Sequence, residues 1–269
     1  MLARFLVALA GIPIILLVAY LGSWYLLAFL LILVSVALHE FFNLCLYCRL
    51  RPLSGIGLAA ALLTLIFVFF HQSLPTWFFP LLLAALFLLF LALFPMYSMA
   101  DVAITFLGIC YIGGFLSHLL MLRFLPGGAS LLIFTFLLTW AYDTGAFFSG
   151  RFWGRTHPWL HLSPRKTWAG VVGGGLLTLG VAAVLGPHFL NAVSLGQLLV
   201  LGGVAAIAAQ CGDLVISALK RQAGVKDTGN ILPGHGGILD RFDSLLLVAP
   251  VLYYYLAFIL IRSGGSGLF

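Results

Sequence analysis

Charge is what this sequence has least of. Of its 269 residues only 7 are acidic and 13 basic, while 63% are hydrophobic. A water-soluble domain needs a far more charged surface than these residues can cover, so an ordinary soluble domain is excluded. A net charge of +6 is too thinly spread for a basic footprint, and nucleic acid is not an expected partner. Cysteine is scarce as well, at 4 residues. Cys45, Cys48, Cys110 and Cys211 sit in or beside apolar runs, and Cys45-Leu46-Tyr47-Cys48 lacks the second CxxC or histidine pair of a zinc site. They read as small packing residues with no disulfide among them. A G-x4-G-K-[ST] phosphate loop is missing too.

What is present is apolar sequence in runs of about 20 residues, the length one bilayer crossing needs. Nine crossings are expected, over 5–21, 24–44, 55–70, 77–94, 102–122, 130–148, 168–189, 197–219 and 244–261. The Ala8-Leu9-Ala10 triplet resembles a cleavage site, but too little apolar chain precedes it, so the first run is read as a retained crossing. The expected fold is thus all-α and polytopic, one integral membrane domain over 1–269. In it the helices of 1–100 would serve packing or dimerisation, and 101–262 would carry the chemistry, with loops at 149–167 and 219–243.

An odd number of crossings puts the termini on opposite sides. With the N-terminus cytoplasmic, every basic residue except Arg123 and Arg262 falls inside, which is the bias that sets topology. The C-terminus is then on the outer side, and both loops face the cytoplasm. Trp24, Trp77, Trp153, Trp159 and Trp168 fall near the ends of crossings, where they suit headgroup depth. Gly170, Gly173, Gly174 and Gly175 would let another helix approach closely.

The few charges are not scattered. Residues 217–243, SALKRQAGVKDTGNILPGHGGILDRFD, hold Lys220, Arg221, Lys226, Asp227, Asp240, Arg241 and Asp243 around a tight Pro233–Gly237 turn. With Asp143 and Asp213, five of the seven acidic residues lie between 143 and 243. Carboxylates at membrane depth are costly unless paired or ligated, and so point to function. Asp213 and Ser217 are one turn apart on a helical face, as are Asp240 and Asp243. Capping by Asp243 and an Asp240–Arg241 ion pair are the plain structural alternatives.

Carboxylates from several helices, without histidine or cysteine, suit a hard ion such as Mg²⁺, with a second cation as an option. His235, between glycines, suits a phosphate or the turn itself. A second segment, Ser163-Pro164-Arg165-Lys166-Thr167, joins cations and hydroxyls to a helix start, the ingredients of a phosphate site. Arg151 and Arg155 beside it could equally enforce topology or meet anionic lipid. Asp101 reads as a helix cap; Glu40 could join the site or pair with Arg49 or Arg51.

The run Ser217, Lys220, Arg221, Lys226, Asp227, Gly229, Leu232, Pro233, His235, Gly236, Gly237, Ile238, Asp240, Arg241, Phe242, Asp243 resembles the signature of the phosphatidate cytidylyltransferase family at every defined position. Asp143-Thr144-Gly145-Ala146-Phe147 and the Ser163–Thr167 segment resemble two further family blocks. Arg165 stands where a lysine is commoner, which keeps the charge and changes the donor geometry.

The resemblance implies a homodimeric enzyme of a bacterial inner membrane that joins CTP to phosphatidate with Mg²⁺. It implies catalytic roles for Asp213, Asp240, Lys226, Asp227, Arg241 and His235, with Asp213, Asp240, Asp143 and Asp243 at the metal. Ser163, Arg165, Lys166, Thr167, Ser217, Lys220, Arg221, Gly236 and Gly237 would meet the substrates. A related enzyme acting on another lipid phosphate or a polyprenol is the nearest alternative. A transporter ranks behind it, since its carboxylates would sit near mid-bilayer rather than at one interface.

Overall fold

The computed structural model describes residues 2–190, 193–231 and 236–262, with side chains described over 11–190, 193–231 and 236–259. Among the described residues there is no β-strand. The chain forms α1 (Leu2–Leu21), α2 (Ser23–Tyr47), α3 (Ser54–His71), α4 (Phe78–Leu93), α5 (Met99–Gly108), a π-helical stretch Ile109–Gly114, α6 (Phe115–Phe124), α7 (Gly128–Trp153), α8 (Trp168–Phe189), α9 (Leu195–Gln222) and α10 (Leu239–Arg262).

A helix stands in each of the nine expected places, with α5, the π stretch and α6 running on as one. Seven helices among the described residues are long and apolar enough to cross a membrane. Two expected crossings are shorter, Gly11–Leu21 as the part of the first whose side chains are described and Phe78–Leu93 as the fourth. Helix α7 continues past the expected end at 148 to Trp153, and α10 starts at Leu239 rather than at 244. Among the described residues the irregular connections therefore shrink to 154–167, 223–231 and 236–238.

The chain divides into two compact units, residues 1–121 with 219–241, and residues 122–218 with 242–269. In the first, α2 supplies the core with Leu30, Leu33, Val34, Leu38, Phe41 and Phe42, all nearly inaccessible to solvent. Phe42 fits because its neighbours lack side chains. A Cβ on Gly57 of α3 or Gly108 of α5 would come within 2.7 Å of its ring. The N-cap is Ser98 rather than the expected Asp101, which sits three residues on and completes a capping box, with Asp101 N donating to Ser98 Oγ at 3.2 Å and Ser98 N to Asp101 Oδ2 at 2.8 Å. Its other oxygen accepts from Arg51 N, and Thr105 Oγ1 accepts from Leu53 N at 2.9 Å. Thus the α2–α3 connection is tied to the start of α5.

The second unit rests on α7 against α8. Three of the four expected close-packing glycines do that work. A Cβ on Gly170 would lie 2.9 Å from Ala146 O, one on Gly174 2.9 Å from Tyr142 O, and one on Gly173 would collide with Ser149. Gly175 has nothing within 4 Å, because it lies on the opposite side of the helix. Phe134 and Phe189 stack at 5.0 Å farther along the same pair. Between α9 and α10 the contact is tighter still: Gly212 lies against Asp243 O, where a Cβ would also meet Ser244 Cα at 3.2 Å.

Candidate active site

Each unit gathers one group of the charged residues picked out by the sequence. In the first unit the group surrounds Asp240, on the opening turn of α10. Its Oδ1 receives the Lys220 ammonium at 2.5 Å. Its Oδ2 accepts from Thr228 N at 2.8 Å, Thr228 Oγ1 at 3.0 Å and Gly237 N at 3.1 Å. Asp240 is thus an N-terminal carboxylate that also gathers the chain before it, where backbone N–H groups have no helical partner.

The ion pair considered for Asp240 and Arg241 gives way to one with Lys220. Successive residues on a helix point about 100° apart, so Arg241 turns to the exposed side while Asp240 turns inward. Gly236, at φ +83°, takes a left-handed conformation, and a Cβ there would lie 2.9 Å from Asp240 Oδ2.

Glu40, left open by the sequence, joins this group. It is 2% exposed. Its Oε1 accepts from Ile238 N at 2.9 Å, and its Oε2 accepts from Leu239 N at 2.8 Å and Thr228 Oγ1 at 3.0 Å. Lys226 and Asp227 are exposed, as is Arg221 at the end of α9. His235, with Leu232 and Pro233, lies outside the described residues.

In the second unit the group forms where α7, α9 and α10 approach. Lys166 Nζ lies 2.7 Å from Asp213 Oδ2, and Ser217 Oγ donates to Asp213 Oδ1 at 3.2 Å. Ser217 and Asp213 therefore share a face, as their spacing implies. Ser244 holds the other two carboxylates, its Oγ donating to Asp143 Oδ1 at 3.2 Å and its N to Asp243 Oδ1 at 2.8 Å. The Lys166 ammonium is shielded from solvent, and among the described residues no acceptor but Asp213 reaches it. An ammonium carries three donors, so this one retains capacity for a further acceptor.

Thr167 is the N-cap of α8, its Oγ1 accepting from Gly170 N at 3.1 Å, so the expected helix start beside Lys166 is present. Arg165 is exposed and Ser163 half-buried. Below Asp143 and Asp213 lies a pair that the sequence reading missed. Tyr142 OH donates to Gln210 Oε1, and both residues are buried. A signal was available, since Gln210 is the one amide in the apolar body of α9, one turn before Asp213.

Among the described residues, no group of three or more His, Cys, Asp or Glu is arranged to hold a metal by itself. Mg²⁺ usually takes one or two carboxylates and leaves its other positions to water and phosphate. Asp143, Asp213 and Asp243 supply oxygen donors of the type such an ion takes, one or two at a time rather than as a cluster of three. Asp240 fits less well, because four protein donors crowd its buried oxygens, whereas Asp213 meets one donor at each oxygen and is more open to solvent.

The cytidylyltransferase family model matches residues 2–259. The chain belongs to the cytidylyltransferase family. Among its relatives, the phosphatidate cytidylyltransferase of Staphylococcus saprophyticus is 36% identical over 256 residues, covering 93% of this chain and 96% of the relative. That of Synechocystis is 32% identical over 292 residues, covering 96% and 97%. That of Haemophilus influenzae is 44% identical over 138 residues, covering 49% of this chain and 48% of the relative. This member of the cytidylyltransferase family is an enzyme of the nucleotidyltransferase class, built from membrane-type helices.

Proposed function

We propose that the enzyme converts CTP and phosphatidate into CDP-diacylglycerol and pyrophosphate. The observation that carries the reading is the shielded Lys166 ammonium, held by Asp213 at the N-terminus of α8 with donor capacity to spare. A phosphate oxygen is the acceptor such a place suits. The names of the relatives supply the lipid, and the apolar helices suit a substrate whose acyl chains stay in the bilayer.

In the proposed reaction a phosphatidate phosphate oxygen attacks the α-phosphorus of CTP. One P–O bond forms, the bond from that phosphorus to the β-phosphate oxygen breaks, and pyrophosphate leaves with the bonding pair. Little proton transfer is needed, so the residues act by position and charge. Lys166 orients a phosphate; Lys220, Arg221, Lys226 and Arg241, with Arg165, Ser163 and His235, supply further cationic and hydrogen-bonding contacts. One or two of Asp143, Asp213 and Asp243, with substrate phosphate, would hold Mg²⁺, and a second cation is an option. When bound, Mg²⁺ neutralises triphosphate charge and stabilises the leaving pyrophosphate.

The placement of basic residues supports a cytoplasmic site, where CTP is available, and the bacterial relatives support an inner membrane. The homodimer rests on family resemblance.

The test is incorporation of labelled CTP into lipid by the purified protein, with and without phosphatidate and Mg²⁺, for wild type and Asp213→Asn. CDP-lipid made only with both additions, and lost in the folded variant, is the expected result. No product from phosphatidate with folded wild type would overturn the substrate assignment; other lipid phosphates and polyprenols would then be offered.

A further inference from the structure

Glu40 is the most deeply buried acidic residue described, and it lies on α2, far in sequence from the residues of the signature. A lone carboxylate in an apolar helix is costly unless its oxygens are satisfied. Here they are satisfied by one stretch of chain. Thr228 Oγ1 donates from one side of the signature segment, and the N–H groups of Ile238 and Leu239 donate from the other, where α10 begins.

Two glycines of the signature lie close against the same carboxylate. A Cβ on Gly229 would lie 2.6 Å from Glu40 Oε1, and one on Gly237 would collide with Glu40 Oε2 and Thr228 Oγ1. The Thr228 oxygen also lies 3.0 Å from Asp240 Oδ2, so its one proton is shared between the two carboxylates. It thereby joins the carboxylate from α2 to the one that holds Lys220. A buried group with three donors from both flanks of a segment fixes the separation of those flanks, and with it the place of Asp240 and Lys220.

We propose that Glu40 is a positioning residue for the cytidylyl-transfer reaction, setting the signature segment through Thr228 and the first N–H groups of α10 without touching substrate. This rests on the reaction proposed above for its activity readout, and on local exchange for a readout that needs no substrate.

The experiment compares wild type, Glu40→Gln, Glu40→Asp, Thr228→Val and Thr228→Ser in lipid nanodiscs. It measures amide hydrogen exchange by mass spectrometry without substrate, then CDP-lipid formation over a range of CTP. Glu40→Gln keeps the volume but turns an acceptor oxygen into a donor facing donors. Exchange over 228–239 is expected to quicken at least about tenfold in Glu40→Gln and Thr228→Val, with α2 and α3 unchanged. Turnover is expected to fall about 10²-fold, the scale of a misplacement of about 1 Å, with a smaller change in the KM for CTP. Thr228→Ser, which retains the hydroxyl, restores both readouts.

Unchanged exchange over 228–239 in Glu40→Gln overturns the proposal, whether or not activity survives. A uniform rise in exchange across α2 and α3 overturns it in favour of general stability, and Thr228→Val decides the matter if Glu40→Gln does not fold. Wild type that is inactive on CTP and phosphatidate sinks the substrate reading and leaves the exchange result standing.

Discussion

The Lys166 ammonium lies 2.7 Å from Asp213 Oδ2, and the two ends of this ion pair differ in exposure, with side chains 16% and 33% accessible. Removing either end leaves a different residue behind. Asp213→Asn leaves a shielded ammonium facing a neutral amide in place of a charge, expected to cost about 1–3 kcal/mol. Lys166→Met strands a carboxylate that water can reach, a loss of under about 1 kcal/mol. Both variants should lose roughly 10²- to 10³-fold in turnover if the lysine orients phosphate. Thermal unfolding in detergent beside CDP-lipid formation checks the asymmetry; equal stability losses would count against it.

Tyr142 and Gln210 form a buried polar pair within the second unit. Tyr142→Phe leaves the Gln210 carbonyl without its donor, which should cost about 1–3 kcal/mol. The double variant Tyr142→Phe with Gln210→Leu removes both polar ends and should recover much of that loss. A double-mutant cycle by thermal unfolding measures the coupling, and strict additivity would mean that the pair contributes nothing.

Three glycines near the signature separate backbone strain from crowding. Gly224, at φ +71° with open space around its Cβ position, should cost about 1–2 kcal/mol on change to alanine, from conformation alone. Gly237→Ala meets Thr228 and Glu40 and should cost about 1–3 kcal/mol from overpacking. Gly236→Ala suffers both effects, with φ +83° and Asp240 Oδ2 at 2.9 Å, and should be the most damaging. Stability and activity of the three alanine variants give the order.

The neighbours Gly174 and Gly175 should behave in opposite ways. Gly174→Ala puts a methyl group against Tyr142 and should separate α7 from α8, with a loss of about 1–3 kcal/mol. Gly175→Ala meets nothing and replaces a poor helix former, a gain of up to about 1 kcal/mol. Unfolding temperatures of the two variants decide this, and a destabilised Gly175→Ala would show that another surface covers that face.

Much of this was legible in the sequence because it is local. Apolar runs place the helices, and three-residue spacing gives the Ser98–Asp101 box. Four-residue spacing gives Ser217 on Asp213. The scarcity of acid makes the carboxylates of 143–243 conspicuous. What the sequence did not disclose depends on rotation and distance. Gly175 looks like Gly174 until the helix is turned, and Arg241 looks like the partner of Asp240 until α10 begins at Leu239 and separates their directions. The role of Glu40 was hidden because Thr228 and Ile238 lie 188 and 198 residues away from it. Thr228, moreover, occupies an undefined position of the signature.

That tether sets a limit on how the chain can be divided. A fragment beginning after α2 would keep every residue of the family signature, yet the N–H groups of Ile238 and Leu239 would have lost the acceptor that fixes them. A chimera that takes its opening helices from a relative inherits the same condition. The donor must bring a carboxylate at the place of Glu40, or the recipient's Gly229 and Gly237 are left bordering a void that they were small enough to make room for.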